Sequence, residues 1–500
     1  MYVNSSAANN DTAIEPKTQE ILSQIAKQPV QQERESQCMD LKSAVKTSLK
    51  RLEELLDSPD YVKNARELET LEKEIVRRTD QAAGLLIGYK VQQSVKSEAL
   101  KKETREFIDL CPKTLKNQGP RKVEIHPLRG EKVTIACSYF SQKGTKDKRR
   151  KKKRAGVYPA CILLGLYDRY TPGLASEICL MATVTSSYEE ARQLLKERGY
   201  EVAVKTIRSI SMSYAERAKA VLMAQESAFS ETVSGRKVAV STDGGRLRIR
   251  KNKKGKKTKK GRHHYQTNWR EPKLLIIYVV DKDGRSDRTF SPFIDGTMKG
   301  PDAVFWLLDY YLSKLNIGTS DRVVFVADGA RWIWNRVRAL MSSLGIASDR
   351  YDEVVDFYHA VEHLGKIANL QKGWKAAQKK RWVTKYRRLL LQGAITEVLQ
   401  EIRRLCRDKR SKKLNTERDY FVRNQRRMNY AEIRRKGLPL GSGAMESAIR
   451  RVVNLKLKGA SIYWLQESAE AMIMLRSYFK AGRWNMLKQL AFSPFLSDIA

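Results

Sequence analysis

Three carboxylates stand where a metal-assisted reaction would need them. Asp243 ends the alternating run through Val238 and Val240 and precedes Gly244-Gly245. Asp328 closes the apolar run from Val323 to Ala327. Glu446 lies in Gly441-Ser-Gly-Ala-Met-Glu446-Ser, a glycine-rich turn entering a helix through Ile449, Val452 and Val453. Carboxylate oxygens are hard donors that suit magnesium. Two such ions held about 3.5–4 Å apart activate an attacking oxygen and stabilise a leaving one in phosphoryl transfer. An Asp-Gly pair alone is commonly just a turn, and Glu446 alone would serve the dipole of its helix. The chemistry needs all three in one place.

The elements that must bring them together follow from periodicity. A strand from Arg236 ends at Asp243, Leu274 to Val280 is a second and fully apolar strand, Asp281-Lys-Asp-Gly284 is a hairpin turn, and Arg288 to Ile294 alternates as a third strand. Pro301 opens a helix through Phe305, Leu308 and Tyr311, and the buried strand ending at Asp328 follows. A helix through Trp334, Val337 and Met341, a short strand at Val354 to Phe357, and a helix from near His359 complete the series. The order βββαβαβα is that of an RNase H-like core, whose first and fourth strands are neighbours, so Asp243 and Asp328 are expected side by side. Far more chain separates Asp328 from Glu446 than two helices and a strand require. Trp382, Tyr386, Leu389, Leu390, Ile395, Leu399, Ile402 and Leu405 recur there at helical spacing, which predicts an all-helical insertion.

In order, Ser241-Thr-Asp243-Gly-Gly, Val326-Ala-Asp328-Gly-Ala-Arg-Trp-Ile-Trp, Asp356-Phe-Tyr-His359 and Gly-Ser-Gly-Ala-Met-Glu446-Ser resemble the DDE transposases of bacterial insertion sequences. The likeness is to the Mutator-like branch, with its Asp-x-x-His signature and helical insertion, and within it to the ISKra type. It spans roughly residues 160 to 480, and any one motif alone would be weak. The resemblance implies Asp243, Asp328 and Glu446 as catalytic ligands of two magnesium ions, with manganese able to substitute. It implies an enzyme that binds the terminal inverted repeats of its own element, cuts phosphodiester bonds at the ends and joins the 3′-hydroxyls to target DNA. Its partners would be double-stranded DNA and further copies of itself, as a homodimer or higher oligomer on DNA in a bacterial cytoplasm. Asp356 and His359 would be auxiliary, His359 contacting the scissile phosphate or positioning Asp356; an ordinary strand-to-helix cap is the plainer reading. Glu362 and His363 read as fold residues. The rival readings are a nuclease or resolvase of the same fold that cuts without joining, and a DNA-binding protein derived from a transposase.

Charge agrees with a polyanionic partner: Lys and Arg number 96 against 56 Asp and Glu, a formal net charge of +40. No run approaches the roughly 18 apolar residues of a membrane span, and the N-terminus lacks a signal pattern. Six scattered cysteines read as reduced thiols; Cys137, Cys161, Cys179 and His126 are a zinc set without finger-like spacing. The expected organisation is a multidomain α+β chain. Residues 1–40 are polar and expected to be disordered. Residues 41–110 are a helical hairpin or short coiled coil, with Val45, Leu49, Leu52, Leu56, Leu68, Leu71 and Ile75 serving either dimerisation or internal packing. Residues 111–230 are a DNA-binding region with short strands at Lys122 to Ile125 and Lys132 to Cys137, the basic block Lys146 to Arg154, and a helix-turn-helix. Its capping box is at Ser187 to Glu190, its turn at Gly199 and its second helix begins at Thr206. Residues 231–370 and 439–500 are the two parts of the core, and 371–438 the helical insertion. For DNA contact the sequence offers Arg246, Arg248, Arg250, Lys251, Lys253, Lys254, Lys256 and Lys257 directly after the first strand, and Lys456 and Lys458 with Trp464 near the C-terminus.

Overall fold

The computed structural model describes residues 40–57, 62–111, 114–142, 156–224, 229, 231–259, 261, 263–407 and 409–494. Residues 1–39 and the basic block Lys146 to Arg154 lie outside the described residues. The chain is a multidomain α+β protein. None of its described helices is long and apolar enough to cross a membrane.

The first unit joins α1 (Leu41–Glu53), α2 (Ala65–Lys96), α3 (Glu98–Asp109) and α4 (Pro159–Leu163) to a sheet of β1 (Leu115–Ile125), β2 (Val133–Gln142) and β3 (Gly156–Val157). Helix α2 lies along β2, where the Gln92 amide bonds both the N–H and the carbonyl of Ala136. Leu100, Val123, Ile125, Val133, Ile135 and Cys161 form a core of their own. Of the apolar stripe expected along α1 and α2, Val45 is buried, whereas Leu49, Leu56, Leu68, Leu71 and Ile75 are exposed.

Helices α5 (Pro172–Val184), α6 (Tyr188–Glu197) and α7 (Val204–Ala224) belong to a second, larger core that continues to the C-terminus. The Ser187 hydroxyl accepts from Glu190 N–H at the start of α6, one half of the expected capping box, while the Glu190 carboxylate accepts from the N–H and hydroxyl of Ser186 and not from Ser187. The second helix of the expected helix-turn-helix is packed among α5, α6 and the two C-terminal helices. Ile207, Ile210, Tyr214, Ala218 and Val221 are buried, leaving Lys205, Ser209, Glu216, Met223 and Ala224 exposed along it. The buried residues of α7 thus cluster with the larger core, whereas the core of the first unit reaches only to Leu166.

The larger unit is built on a five-stranded sheet of order β10-β9-β4-β7-β8. Its strands are β4 (Lys237–Gly244), β7 (Lys273–Val280), β8 (Phe293–Thr297), β9 (Arg322–Ala327) and β10 (Tyr351–Val355). Strands β4, β9 and β10 are parallel; β7 is antiparallel to β4, and β8 to β7. The strand expected from Arg288 begins only after Pro292, because the Asp287 carboxylate gathers the Thr289 N–H and hydroxyl into a turn. Between β4 and β7, β5 (Leu247–Lys257) and β6 (His263–Arg270) form a separate antiparallel hairpin. All eight residues of β7 are buried, so both faces of the sheet are covered.

Helices α8 (Pro301–Lys314) and α9 (Arg331–Ser343) set Phe305 and Trp334 against Phe325 of β9. After α10 (Phe357–Asn369) comes the helical insertion: α11 (Ala376–Leu391), α12 (Ile395–Cys406), α13 (Lys412–Asn424) and α14 (Tyr430–Arg435). Then α15 (Gly443–Ile449) packs on β4 and β7 and runs into a π-helical turn at Arg450–Asn454. Helix α16 (Gln466–Lys480) covers β8, and α17 (Trp484–Phe492) packs on α7.

Candidate active site

Strand register brings the carboxylates together. Val240 of β4 lies opposite Phe325 of β9, and Ala327 of β9 opposite Val355 of β10. Continued forward, that register sets Asp243, Asp328 and Asp356 in one row at the carboxyl ends of three adjacent parallel strands, which are spaced about 4.8 Å apart. Asp243 is partly buried, and its own Gly244 N–H donates to Oδ1 at 2.6 Å. Burial pushes its carboxyl up to about 6, the charge of Asp328 adds to this, and the Gly244 N–H, His359 and Lys273 oppose it. A divalent cation would relieve that strain on the charged form. Asp328 accepts the Ala330 N–H at 3.0 Å, and its carbonyl receives the Trp334 indole N–H at 2.6 Å, fixing the turn into α9.

Glu446 sits in the first turn of α15 with its side chain 57% exposed, its Oε1 3.6 Å from Nε2 of His359. His359 also faces Glu362 through Nδ1 at 3.3 Å. Burial lowers this imidazole's basicity, but the carboxylates of Asp356, Glu362 and Glu446 outweigh it and hold the group raised.

Asp356 is fully buried and spends its oxygens differently. Oδ1 caps α10 by accepting the N–H groups of Tyr358 and His359, and Oδ2 accepts both the N–H and the hydroxyl of Ser442. Those four bonds use the four lone-pair positions of a carboxylate. Gly441 has no room for a β-carbon against Tyr358, so the loop before Glu446 closes tightly on this aspartate.

Among the described residues, the one group of three or more candidate ligands within 4.8 Å of one another is Asp356, His359 and Glu446. Asp243, Asp328 and Glu446 do not close to that distance. The lone-pair count makes Asp356 an anchor and not a ligand, and carboxylates that serve different ions of a pair need not touch. The oxygen donors left available are those of Asp243, Asp328 and Glu446, which fit a hard dication.

Two neighbours have no obvious motif. Lys273 is buried beside Asp243's strand, with Nζ 2.7 Å from Glu271 and 4.0 Å from the centre of the Trp332 ring. Its only sequence signal is a lone cation opening an apolar strand. Tyr420 of α13 fills the space a β-carbon on Gly329 would need and stacks on His363 at 3.7 Å, while His363 also pairs with Glu417. His363 thus ties the insertion to α10.

Of the expected DNA-contact residues, Arg246, Lys251, Lys253, Lys254, Lys256, Lys257 and Lys458 are exposed, and Arg248 and Arg250 partly so. Lys456 is not available: it is buried, and its ammonium donates to the carbonyls of Ala182 and Thr185 at the end of α5. Trp464 is structural in part, its backbone bonding Arg248 and Arg250 and its indole N–H the Leu457 carbonyl. Cys137 and Cys161 approach to 3.6 Å, but Cys179 lies in the other core, and no zinc-sized group forms with His126 among the described residues. Compared with known proteins, the chain matches no family model and no curated protein.

Proposed function

We propose that this protein is a DDE-type DNA transposase with an RNase H-like core, which cuts DNA at the ends of its own element and joins the freed 3′-hydroxyls to target DNA. The observation that carries this reading is the row of Asp243 and Asp328 at adjacent parallel strand ends, with His359, whose charge acts on Asp243, 3.6 Å from Glu446. The strand order, three antiparallel strands followed by two parallel ones added beside the first, supports the fold. The net charge of +40 supports the substrate.

Asp243, Asp328 and Glu446 would hold two magnesium ions, for which manganese can substitute, and the ions would activate the attacking oxygen and stabilise the leaving one. The chain's own work is positional. Asp356 pins the loop before Glu446 to the end of β10, and Lys273 offsets negative charge behind Asp243. The β5–β6 cations hold the DNA backbone by contacts that carry no sequence code. Pairing of two copies falls to the exposed stripe of Leu49, Leu68, Leu71 and Ile75. The test incubates the purified protein and magnesium with supercoiled target and duplexes carrying the DNA that borders its coding sequence. Cleaved and joined products are expected. Cleavage without joining would favour a nuclease or resolvase, and binding without cleavage a non-enzymatic role.

A further inference from the structure

The β5–β6 hairpin carries more than charge. From Arg246 to Arg270 it has twelve Lys and Arg and no Asp or Glu, and every residue of β6 is exposed. Strand alternation puts Arg248 and Arg250 on the same face as Trp269 and Tyr265, Arg248 standing directly opposite Trp269. Trp269 is 52% exposed and Tyr265 45%. Arg246 and Arg248 each lie 5.6 Å from the Trp269 ring, Arg248 is 4.7 Å from Tyr463, and Tyr463 is 5.8 Å from Tyr265. The result is a ladder of guanidinium groups and aromatic rings, with Trp269 and Tyr265 exposed and Arg248 and Arg250 half-buried.

Phosphate grip alone needs no exposed indole. A cationic groove interleaved with open aromatic faces is the surface on which unpaired bases stack, at about 1–3 kcal/mol per base. The ladder also leads to the reacting centre. Gly245 N–H bonds the Pro272 carbonyl and so continues the β4–β7 pair that carries Asp243. Trp269's partner Arg248 is five residues beyond Asp243, at most roughly 16 Å along an extended chain.

We propose that this face binds single-stranded DNA next to the cleavage point, stacking unpaired bases on Trp269 and Tyr265 while the lysines at the hairpin tip hold the phosphates. The inference rests on the proposed action on DNA and adds a strand-separated substrate to it. The test measures affinity of the full-length protein for a blunt duplex and for the same duplex with an oligothymidine overhang, by fluorescence anisotropy. The unchanged protein is expected to prefer the overhang. Trp269→Ala should lose that preference about tenfold or more while binding the blunt duplex normally, which also shows that it is folded, and Trp269→Phe should keep most of it. Replacing Lys253, Lys254, Lys256 and Lys257 by Ala should weaken both probes alike and flatten their salt dependence. The stacking proposal is overturned if the unchanged protein shows no preference for the overhang, or if Trp269→Ala keeps it. Failure to bind either probe would sink the proposed function as well.

Discussion

In the proposed reading, single residues divide into those that act on substrate and those that hold others in place, and buried hydrogen bonds tell them apart. Asp356 has all its lone pairs engaged, so its role is to lock Ser442 and, four residues on, Glu446. In Asp356→Asn a donor must face a donor whichever way the amide turns. The variant is expected to lose about 1–3 kcal/mol of stability and to cut DNA at least tenfold more slowly, with DNA affinity unchanged. A cleavage rate within twofold of the original would show that the loop before Glu446 does not depend on this anchor. Lys456 and Lys458 make a second contrast. Burial lowers the Lys456 ammonium to about 8, the nearby Arg476 guanidinium lowering it further, and its bonds close the negative end of α5. Lys456→Met should cost about 1–3 kcal/mol in chemical denaturation through the carbonyls it leaves unpaired, with no change in DNA binding. Lys458→Ala should do the reverse, leaving stability alone and weakening binding.

Elements were legible in the sequence wherever the signal is local. The apolar runs placed the strands that carry Asp243 and Asp328, the glycine turn placed the helix that carries Glu446, and helical spacing revealed the insertion. The alignment of Asp356 with the other two aspartates was not legible, because register between distant strands leaves no local trace. Nor was the fate of Lys456, since a lysine that caps a buried helix end looks like any surface lysine until that helix is known to be there. How deeply the second helix of the expected helix-turn-helix is packed was not legible for a related reason. Its Ser and Ala between larger apolar residues allow close packing on several sides, which marks a core helix, whereas the two-helix outline says nothing of what surrounds it.

Burial pushes the Asp295 carboxyl up to about 6, from an ordinary 3.8, despite bonds from Tyr311 and the Gly296 N–H. Between pH 4 and 6 the unfolded chain has released this proton and the folded chain still holds it. Stability therefore falls as pH rises through that window, by about 3 kcal/mol from this group at most. Asp295→Asn lacks the component. The stability difference between variant and original should shift in the variant's favour from pH 4 to pH 6.5, and a difference constant with pH would show that Asp295 ionises freely in the folded protein.

On the scale of the whole molecule, the two larger cores among the described residues bear on what can fold alone. The first ends near residue 170, and α7 belongs to the second. A fragment of residues 1–170 is expected to fold and unfold cooperatively, as followed by circular dichroism. A fragment of residues 1–230 should carry α7 with Ile207, Ile210, Tyr214 and Val221 stripped of cover and should self-associate in gel filtration; a monodisperse, cooperatively folded 1–230 fragment would support a boundary near residue 230 instead. The central claim, that three carboxylates from two strand ends and one helix perform phosphodiester chemistry on DNA, meets its most direct test in the full-length protein. Asp243→Asn, Asp328→Asn and Glu446→Gln each remove one metal-binding charge and little surface, so magnesium-dependent cleavage should disappear in all three while affinity for the same DNA stays within about twofold. Normal cleavage by any one of them would remove that residue from the site, and normal cleavage by both aspartate variants would contradict the account.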